Sequence, residues 1–525
     1  MASKEVKVAR TGELRNGEMK QVKAGDTELL LVRQDGHFYA LAAHCTHYGA
    51  PLAEGSLHGN KVVCPWHHAC FDVSTGKHLN APGCNDLPKF SVRLDGDDIY
   101  VQVPEPAPEH AVPPMSVADE GDGRVFVVLG GGAAGAYAVE SMRAEGFQGR
   151  IVLVTAEDEL PYDRPNCSKD FLQDNAPDEW MPLRDKAFYD RIDVELKLGS
   201  KATSVDVARK TVSLEGGEDI AYDSILICTG GKPRHLDIPG HDLKGVHYLR
   251  SLEDSRQLRD AGKSAKKVVI IGASFIGMEC AFSLRELDCE VTVVTPDSLP
   301  FAKKFGEEIG KLITDTHKEN GTTFKLETKP KEIKGENGKV TSVVLENGET
   351  LEADLVVGGI GVQPNTDMVK GLTLEKDGGI KTDVYAYAGR DVYAAGDIAY
   401  FPFPNGQSRI EHWQVACQMG RVAGQNMAGR RVPYKNVPFF WTAQHGLSLH
   451  YTGHADEFDE VVISGSVTDK EFLAFYIKEN EVRAVMELGR TGDLAAIHHL
   501  MHERRMPEPS LIKKGVEWKQ MVSSL

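Results

Sequence analysis

The 525-residue chain has no run of about 18 apolar residues, so no segment is long and apolar enough to cross a membrane as a helix. Its first residues also lack the apolar stretch of a secretory signal peptide. Basic residues are outnumbered, with 60 Lys and Arg against 77 Asp and Glu, and the net charge of −17 argues against nucleic acid as a partner. Nine cysteines without regular spacing do not form a disulfide framework. We therefore expect a cytoplasmic globular protein.

The most informative residues present are two short Cys–His pairs near the N-terminus. Cys45 lies two positions before His47, Cys64 lies three before His67, and a short segment separates the pairs. Two thiolates and two imidazoles in this order are the ligand set of a Rieske [2Fe–2S] cluster. A Cys₂His₂ zinc site uses the same residue types, but zinc fingers pair Cys with Cys and His with His along the chain. The spacing thus favours the cluster over zinc and predicts a one-electron centre.

A glycine-rich turn after a strand marks a dinucleotide-binding unit. The strand VFVVL precedes Gly130, Gly132 and Gly135, and a helical stretch follows them. The next strand leads to an acidic residue, Glu157, at the place along the chain where such units carry one. Such glycines let the backbone approach a pyrophosphate at a helix N-terminus, and the acid binds a ribose hydroxyl.

A second unit of this type begins at KVVIIGASFIGMECAFSL. Its turn holds Gly272 and Gly277, with Ser274 at the middle position. The following strand ends at Thr295, where an acid is usual, and Asp297 comes two positions later without an arginine nearby. An NADPH site would need a cation for the 2′-phosphate. The pattern favours NADH and leaves NADPH open. Two such units indicate a flavoprotein that takes hydride from a nicotinamide cofactor.

The two Cys–His segments, HCTHYGAPLAEG and CPWHHACFDVSTG, resemble the cluster-binding loops of Rieske ferredoxins and of ring-hydroxylating oxygenase domains. The resemblance implies that Cys45 and Cys64 hold the inner iron. It implies equally that His47 and His67 hold the outer iron.

The loops differ from those of the high-potential Rieske proteins in respiratory cytochrome bc complexes. Those proteins join the loops by a disulfide, at positions that are Ala50 and Trp66 here. They also place Ser and Tyr hydroxyls against the cluster, at positions that are Ala69 and Phe71 here. Hydrogen bonds to the sulfurs help to set the potential, so we expect a value toward the low end of the Rieske range, roughly −150 mV.

Other segments resemble flavoprotein reductases. ILICTGGKPR at 225–234 and VYAAGDIAY at 392–400 resemble FAD-contact segments of reductases with two dinucleotide domains. LPYDRPNCSKDFL, GGIGVQPN and IEHWQVACQMGRVAGQNMAG resemble segments of apoptosis-inducing-factor-like proteins and of ferredoxin reductases of the putidaredoxin-reductase type. FFWTAQHG then opens a C-terminal domain. The whole chain resembles the Rieske-containing branch of the apoptosis-inducing-factor-like oxidoreductases.

This resemblance implies roles for individual residues. Lys169 and Glu279 are expected to form an ion pair beside the flavin N5 edge, where a cation stabilises negative charge on the reduced ring. Asp397 is expected to bind the ribityl chain. The expected FAD contacts are Gly130, Gly132, Gly135, Glu157, Arg164, Lys169, Thr229, Gly230, Arg234, Gly396, Asp397 and Trp413. The other expected cofactor contacts are Gly272 and Gly277 in the second glycine-rich turn, Glu279 and Gly361.

Two features suggest other chemistry and carry less weight. Cys167 stands at the flavin motif, but residues 157–185 contain no second cysteine for a redox dithiol, which disfavours a disulfide reductase. His498 and His502 share a helical face, but the glutamate of an H-E-x-x-H motif is absent. We expect a buried thiol at Cys167 and a packed or exposed helix at the histidines.

The predicted fold is multidomain, with a small all-β Rieske domain followed by α/β Rossmann-type domains for FAD and NAD(P)H and an α+β C-terminal domain. The expected boundaries are 1–103 for the Rieske domain, 104–123 for a Pro-rich linker, 124–246 and 376–435 for a discontinuous FAD-binding domain, 247–375 for the NAD(P)H-binding domain, and 436–525 for a C-terminal interface domain.

The predicted function is that of an FAD-dependent NAD(P)H oxidoreductase. Its flavin passes electrons to its own cluster and then to an acceptor that the sequence does not identify. Two alternatives stay open: a flavoenzyme acting on a small molecule with the cluster as relay, and a redox-sensing signalling protein. The chain is expected to act as a monomer or a homodimer.

Overall fold

Strand-length apolar runs and glycine-rich turns form two compact units in a computed structural model that describes residues 3–403 and 406–523. One unit comprises Met1–Met115, Lys435–Trp441 and His450–Leu525. The other comprises Ser116–Tyr434 and Thr442–Leu449. The N-terminal and C-terminal segments therefore share one unit.

The N-terminal part is built from antiparallel strands and short turns, with two 3₁₀ turns, Thr11–Glu13 and Leu52–Glu54. Its six-stranded sheet has the order Ser3–Arg10, Asp98–Pro104, Lys89–Asp95, His37–Ala42, Thr27–Gln34 and Glu18–Ala24. A four-stranded sheet has the order Ser56–His58, Lys61–Val63, Cys70–Asp72 and His78–Asn80. The strand that begins at Lys61 ends at Val63. Cys64 begins the loop that follows, and its backbone N–H donates to Ala69 O.

The first dinucleotide unit forms a mostly parallel six-stranded sheet. Its order is Val194–Lys197, Arg150–Val154, Val125–Leu129, Ser224–Ile227, Val392–Ala394 and the antiparallel edge strand Tyr387–Gly389. The central strands are buried on both faces and read as continuous Val, Ile and Leu, as expected for a parallel sheet covered by helices. Three smaller sheets accompany it among the described residues. The first has four strands, Asp219–Ala221, Thr211–Leu214, Ala202–Asp206 and Val369–Lys370. The second pairs Gly231–Pro233 with Val362–Pro364, and the third has three strands, Ile380–Lys381, Ala399–Phe403 and Gly406–Ser408.

The second dinucleotide unit forms a five-stranded parallel sheet. Its order is Val246–His247, Leu355–Gly358, Lys267–Ile271, Glu290–Val294 and Thr323–Lys325. A three-stranded sheet accompanies it, Pro330–Glu336, Lys339–Leu345 and Thr350–Glu352. Both sheets lie in sequence between the strands Ser224–Ile227 and Val392–Ala394, which pair with each other.

The C-terminal part is a five-stranded sheet with helices after it. The sheet order is Phe439–Gln444, Leu447–Gly453, Glu481–Leu488, Glu471–Lys478 and Glu460–Ser466. The α-helices of the chain are Ala133–Ala144, Lys186–Arg191, Leu252–Ser264, Phe275–Glu286, Ala302–Phe305, Glu307–Glu319, Trp413–Met427, Thr491–His502, Pro509–Ile512 and Trp518–Ser523. The remaining 3₁₀ turns are Arg164–Ser168, Asp178–Trp180 and Gly396–Ile398. The predicted fold class is confirmed.

Two glycines let the helix Trp413–Met427 approach the helix that follows the first glycine-rich turn. A Cβ atom at Gly420 would lie 2.1 Å from Ala134 O, and one at Gly424 would lie 2.4 Å from Ala138 O. Larger side chains there would force the helices apart. Small residues thus fix the start of the helix Ala133–Ala144 against its neighbour.

The Pro-rich segment between the first two domains is hydrogen-bonded at both of its ends. Ala111 exchanges backbone hydrogen bonds of 2.8 and 2.9 Å with Asp86 in one unit. The Ser116 hydroxyl donates to Arg143 O at 3.0 Å and to Phe147 O at 2.8 Å in the other unit. Across residues 3–403 and 406–523, no helix has the length and apolarity needed to span a bilayer.

Candidate electron-transfer sites

The four expected cluster ligands lie in two loops of the N-terminal part. Cys45 and His47 follow the strand His37–Ala42, and Cys64 and His67 lie between the strands Lys61–Val63 and Cys70–Asp72. The two imidazoles approach to 3.0 Å between their Nδ1 atoms, and the two thiols share a hydrogen bond. The ligands therefore meet as a thiol pair and an imidazole pair.

This pairing fits a cluster with two irons better than a single zinc ion. A zinc ion would need all four ligands around one centre. A Rieske cluster instead takes two thiolates on one iron and two imidazoles on the other, which is how the side chains are grouped here. The residues present fit the cluster.

The protonation of the ligands also suits metal binding. Burial lowers the pKa of His47 to about 3, so its imidazole is neutral, which is the form that binds metal. Burial alone would raise the pKa of the Cys64 thiol, but a hydrogen bond from Cys45 and the backbone N–H groups of His67 and Trp66 lower it overall. Such N–H donors stabilise a thiolate and would stabilise cluster sulfur in the same way.

The histidine side of the site is covered by aromatic rings of the C-terminal sheet within the same unit. The His67 ring lies 4.2 Å from that of Trp441, between centroids, and the His47 ring lies 6.3 Å from it. The neighbouring His68 ring lies between Phe439, at 4.3 Å, and His498, at 4.4 Å. His67 is consequently only 7% exposed.

His68 reaches this position through a left-handed backbone conformation, with φ at 57°. A residue with a side chain rarely adopts this conformation without local stabilisation. The imidazole is buried and packs between two rings of the C-terminal part. Aromatic packing therefore offsets an unfavourable backbone geometry.

Lys169 and Glu279 form an ion pair in the second unit, as expected. The Lys169 Nζ atom lies 2.7 Å from Glu279 Oε2, and the Glu279 side chain is almost completely buried. The Ser168 hydroxyl donates to the same oxygen at 2.5 Å. Thr442 donates to the other oxygen, Glu279 Oε1, at 2.7 Å. Ser168 and Thr442 are members of this group that the sequence did not identify.

The first glycine turn has the geometry that a bound pyrophosphate requires. Gly130 adopts φ of 127°, and a Cβ at Gly135 would lie 2.0 Å from Gly130 O, so the helix packs tightly against the strand. At Gly132, the N-cap of the helix Ala133–Ala144, a Cβ would meet open space, and no described side chain caps the helix. The N–H groups at this terminus fit a pyrophosphate.

The second glycine turn differs at its middle position. The Ser274 hydroxyl accepts the Gly277 N–H at 3.3 Å and donates to Gly359 O at 2.8 Å. A Cβ at Gly272 would lie 2.4 Å from Gly359 O, and one at Gly277 would lie 2.3 Å from Gly272 O. The backbone is as tightly packed as at the first turn, and Ser274 caps the helix.

Three expected FAD contacts, Glu157, Arg164 and Asp397, are held by ion pairs of the second unit. Arg164 pairs with Glu157 at 2.7 Å and donates to Arg250 O at 2.5 Å. Arg250 pairs in turn with Asp397 at 2.7 Å. Arg250 lies 147 positions before Asp397, and no motif in the sequence identified it. Two ion pairs, joined by the hydrogen bond from Arg164 to the Arg250 carbonyl, thus connect Glu157 with Asp397.

The remaining expected contacts lie on loops and helix ends of this unit. Thr229 donates to Asn365 O at 2.5 Å, and Arg234 donates to Val362 O at 3.2 Å. The other positions are Gly230 with φ of 64°, Gly361 with φ of 97°, Gly396 at the start of the 3₁₀ turn Gly396–Ile398, and Trp413 at the first position of the helix Trp413–Met427.

Cys167 and the C-terminal histidine His498, which suggested other chemistry in the sequence, have structural roles. Cys167 is a free thiol, 2% exposed, and burial raises its pKa to about 12, so it is not a reactive thiolate near neutral pH. His498 is buried and bonds Thr452 at 2.7 Å. The helix Thr491–His502 therefore packs its first two histidines in the core of its unit.

Comparison with known proteins identifies the domains of the chain and its family. The family model for the Rieske [2Fe-2S] domain matches residues 4–91, pyridine nucleotide-disulphide oxidoreductase matches 124–420, and the reductase C-terminal domain matches 439–521. Together they define an FAD- and NAD(P)H-dependent oxidoreductase that carries its own Rieske domain. The chain belongs to the pyridine nucleotide-disulphide oxidoreductase family.

Relatives include both long chains and shorter ones. The chain is 36% identical to apoptosis-inducing factor 3 of Homo sapiens over 92% of its own length and 82% of that protein. It is 32% identical to the ferredoxin–NAD⁺ reductase component of the anthranilate 1,2-dioxygenase system of Burkholderia cepacia, over 73% of this chain and 95% of that one. A solved ferredoxin reductase for the CYP199A2 system of Rhodopseudomonas palustris is 30% identical, covers 76% of this chain and all 100% of its own, and has a TM-score of 0.71. The predicted resemblance and oxidoreductase function are confirmed.

Proposed function

We propose that this chain oxidises NAD(P)H and delivers the electrons one at a time through its own Rieske cluster to a separate acceptor. Bound FAD supplies the conversion of a two-electron hydride donor into single electrons, and the cluster supplies a one-electron carrier. Cys45, Cys64, His47 and His67 hold the cluster in this proposal. The expected electron acceptor of the cluster is a protein or a small molecule.

One observation carries the proposal: the cluster ligand His67 packs against Trp441 at 4.2 Å between ring centroids. Trp441 is followed directly in the chain by Thr442, whose hydroxyl donates to Glu279. Two residues joined by one peptide bond thus contact a cluster ligand and the Lys169–Glu279 pair. Both sites belong to one chain, and this tethering favours electron transfer from the flavin to the cluster.

The Lys169–Glu279 pair is the proposed control point beside the flavin. Lys169 holds a positive charge near the ring and stabilises the negative charge of the reduced state. Glu279 holds Lys169 in position, and its negative charge offsets part of the stabilisation that Lys169 gives to the reduced ring. In this proposal the FAD phosphates and ribose are bound by Gly130, Gly132 and Gly135 together with Glu157. The nicotinamide cofactor is bound in the same manner by Gly272 and Gly277.

The free thiols of Cys45 and Cys64, which the proposed cluster needs as ligands, support a cytoplasmic location, because a reducing compartment keeps thiols from pairing as disulfides. All four cluster ligands and the Lys169–Glu279 pair come from one chain. The proposal therefore holds for a monomer or for a homodimer.

Anaerobic stopped-flow mixing with NADH, followed by EPR of the frozen product, tests the proposal. We expect bleaching of the flavin and then the signal of a reduced Rieske cluster. The variant His67→Ala should bleach equally but give no such signal, because it lacks a ligand of the outer iron. A flavin that bleaches without any cluster signal in the unmodified protein would overturn the proposal.

A further inference from the structure

Glu279 stands at one end of a buried row of hydrogen bonds, and His317 stands at the other. His317 Nε2 lies 2.7 Å from Gln444 Oε1, and Gln444 Nε2 donates to Thr442 Oγ1 at 2.8 Å. The Thr442 hydroxyl then donates to Glu279 Oε1 at 2.7 Å. All four residues are at most 3% exposed, so water does not compete for these bonds.

The Gln444 amide fixes the direction of the whole row. Its N–H₂ group donates to Thr442 Oγ1, so the Thr442 hydroxyl must direct its own hydrogen elsewhere, toward Glu279. The reverse amide orientation would take the Thr442 hydrogen and leave Glu279 Oε1 without this donor in a buried site. Leaving a buried acceptor unpaired is unfavourable. The observed orientation is therefore the one that satisfies Glu279, Thr442 and Gln444 together.

The same amide sets the proton position on His317. Gln444 Oε1 can only accept, so His317 carries its hydrogen on Nε2. Within the described part of the chain, the buried His317 Nδ1 atom has no hydrogen-bond partner, which is consistent with a neutral ring. Burial lowers the pKa of His317 and keeps it neutral.

Three donors consequently converge on the Glu279 carboxylate. Lys169 and Ser168 donate to Oε2, at 2.7 and 2.5 Å, and Thr442 donates to Oε1. Hydrogen bonds to a carboxylate are short and strong, so together these donors fix the position of the Glu279 side chain. Two of these donors come from the flavin motif, but the third depends on Gln444 and His317.

We propose that His317, Gln444 and Thr442 are positioning residues that hold the Glu279 carboxylate in place against Lys169. This inference rests on the proposed role of the Lys169–Glu279 pair beside the flavin. The row connects the helix Glu307–Glu319 of the nicotinamide-binding part to the charge that controls the flavin. The group whose reduction potential this charge affects is the isoalloxazine ring of the bound flavin.

The flavin midpoint potential is a direct readout of this role. A Glu279 carboxylate that loses its Thr442 donor is held less firmly against Lys169 and offsets less of the lysine charge, so the site becomes more positive. A more positive site stabilises the reduced, negatively charged ring. We expect Thr442→Val, which is nearly isosteric with threonine, to move the potential to a more positive value. Glu279→Gln should move it further in the same direction.

The conservative variants separate this role from simple packing. Thr442→Ser retains the hydroxyl and should restore the original potential. Gln444→Leu should shift the potential in the same direction as Thr442→Val. His317→Gln, which can present an N–H near the position of Nε2, should shift it less than His317→Leu.

A second readout is independent of turnover and of electron flow. Infrared difference spectra of the oxidised holoprotein, taken between the unmodified protein and Glu279→Gln, isolate the carboxylate stretching bands of Glu279. We expect these bands to shift in Thr442→Val, because Oε1 loses its donor, and to keep their original frequencies in Thr442→Ser.

The outcomes distinguish this inference from the proposed function on which it rests. If Glu279→Gln leaves the flavin potential unchanged, the pair does not act beside the flavin and the underlying proposal fails. If Glu279→Gln shifts the potential but Thr442→Val and Gln444→Leu match the unmodified protein in both readouts, the positioning row is refuted while the proposed function stands.

Discussion

The ring of His67, a ligand of the proposed cluster, packs 4.2 Å from the ring of Trp441, with 46° between their planes. The two residues lie far apart in sequence but in one compact unit. The same tryptophan ring lies 6.3 Å from that of His47. The C-terminal sheet thus supplies the surface that covers the outer-iron ligands.

Replacing Trp441 should slow the transfer of electrons to the cluster. Trp441 is partly buried, and truncating an aromatic anchor typically weakens a contact by about 2 kcal/mol, or roughly 30-fold in population. We expect Trp441→Leu to slow NADH-driven cluster reduction by roughly tenfold or more, with flavin reduction unchanged. Stopped-flow absorbance separates the two phases. Trp180→Leu, which alters a tryptophan that is 71% exposed, is the matched control and should behave like the unmodified protein.

Adding hydroxyls near the cluster should raise its potential. Ala69 and Phe71 are both fully buried in the core beneath the ligand loops. A hydroxyl that donates to a cluster or ligand sulfur favours the reduced state, and one hydrogen bond of about 1 kcal/mol corresponds to roughly 40 mV for one electron. Protein-film voltammetry should therefore give a higher potential for Ala69→Ser and Phe71→Tyr. Phe71→Leu supplies no hydroxyl and should not raise it; an equal rise in Phe71→Leu would contradict this explanation.

Asp163 should make the protein less stable as pH rises. Burial raises the pKa of Asp163 to about 7, although nearby Lys169 opposes the shift. Between the unfolded and folded pKa values the folded state binds more protons, so stability falls as pH increases through this window, by on the order of 2–4 kcal/mol. We expect Asp163→Asn to unfold at a higher temperature than the unmodified protein at pH 8. At pH 5 the difference in unfolding temperature should be much smaller. Thermal unfolding at the two pH values is the measurement, and a gain that does not depend on pH would refute the account.

His498 should make its unit sensitive to acid. Burial, with smaller contributions from His502 and His499, lowers the pKa of His498 to about 3. The unfolded state then binds more protons between about pH 6.5 and 3, so stability is lost as pH falls through this range, by up to about 5 kcal/mol. His498→Asn can keep a partner for Thr452 without titrating. Acid unfolding followed by circular dichroism should show a lower midpoint pH for this variant, and an unchanged midpoint would count against the prediction.

Local sequence was enough to predict the elements that bind phosphates. The strand Val125–Leu129, the turn at Gly130–Gly135 and the helix after it follow from residues within a short window. The same holds for the Cys–His loops, because their chemistry lies in two short segments. Lys169 and Glu279 were predicted as a pair through family resemblance, and the structure brings them to 2.7 Å.

The contacts that sequence reasoning missed join distant segments. Thr442 and Glu279 are 163 positions apart, and Arg250 and Asp397 are 147 apart. Nothing about a threonine or an arginine in its own segment shows which carboxylate it will meet. Such pairings depend on how the sheets pack, and packing is set by many residues together.

The unit that holds the cluster loops is assembled from segments that the long stretch Ser116–Tyr434 separates in the chain, and this has a consequence for the order of synthesis. A ribosome adding about 5–20 residues per second needs roughly 15–60 s to make that intervening stretch. During this interval the loops of Cys45 and Cys64 have left the ribosome while Trp441 and His498 do not yet exist. Iron and sulfide can therefore reach the ligands of the nascent N-terminal domain before the C-terminal sheet covers them.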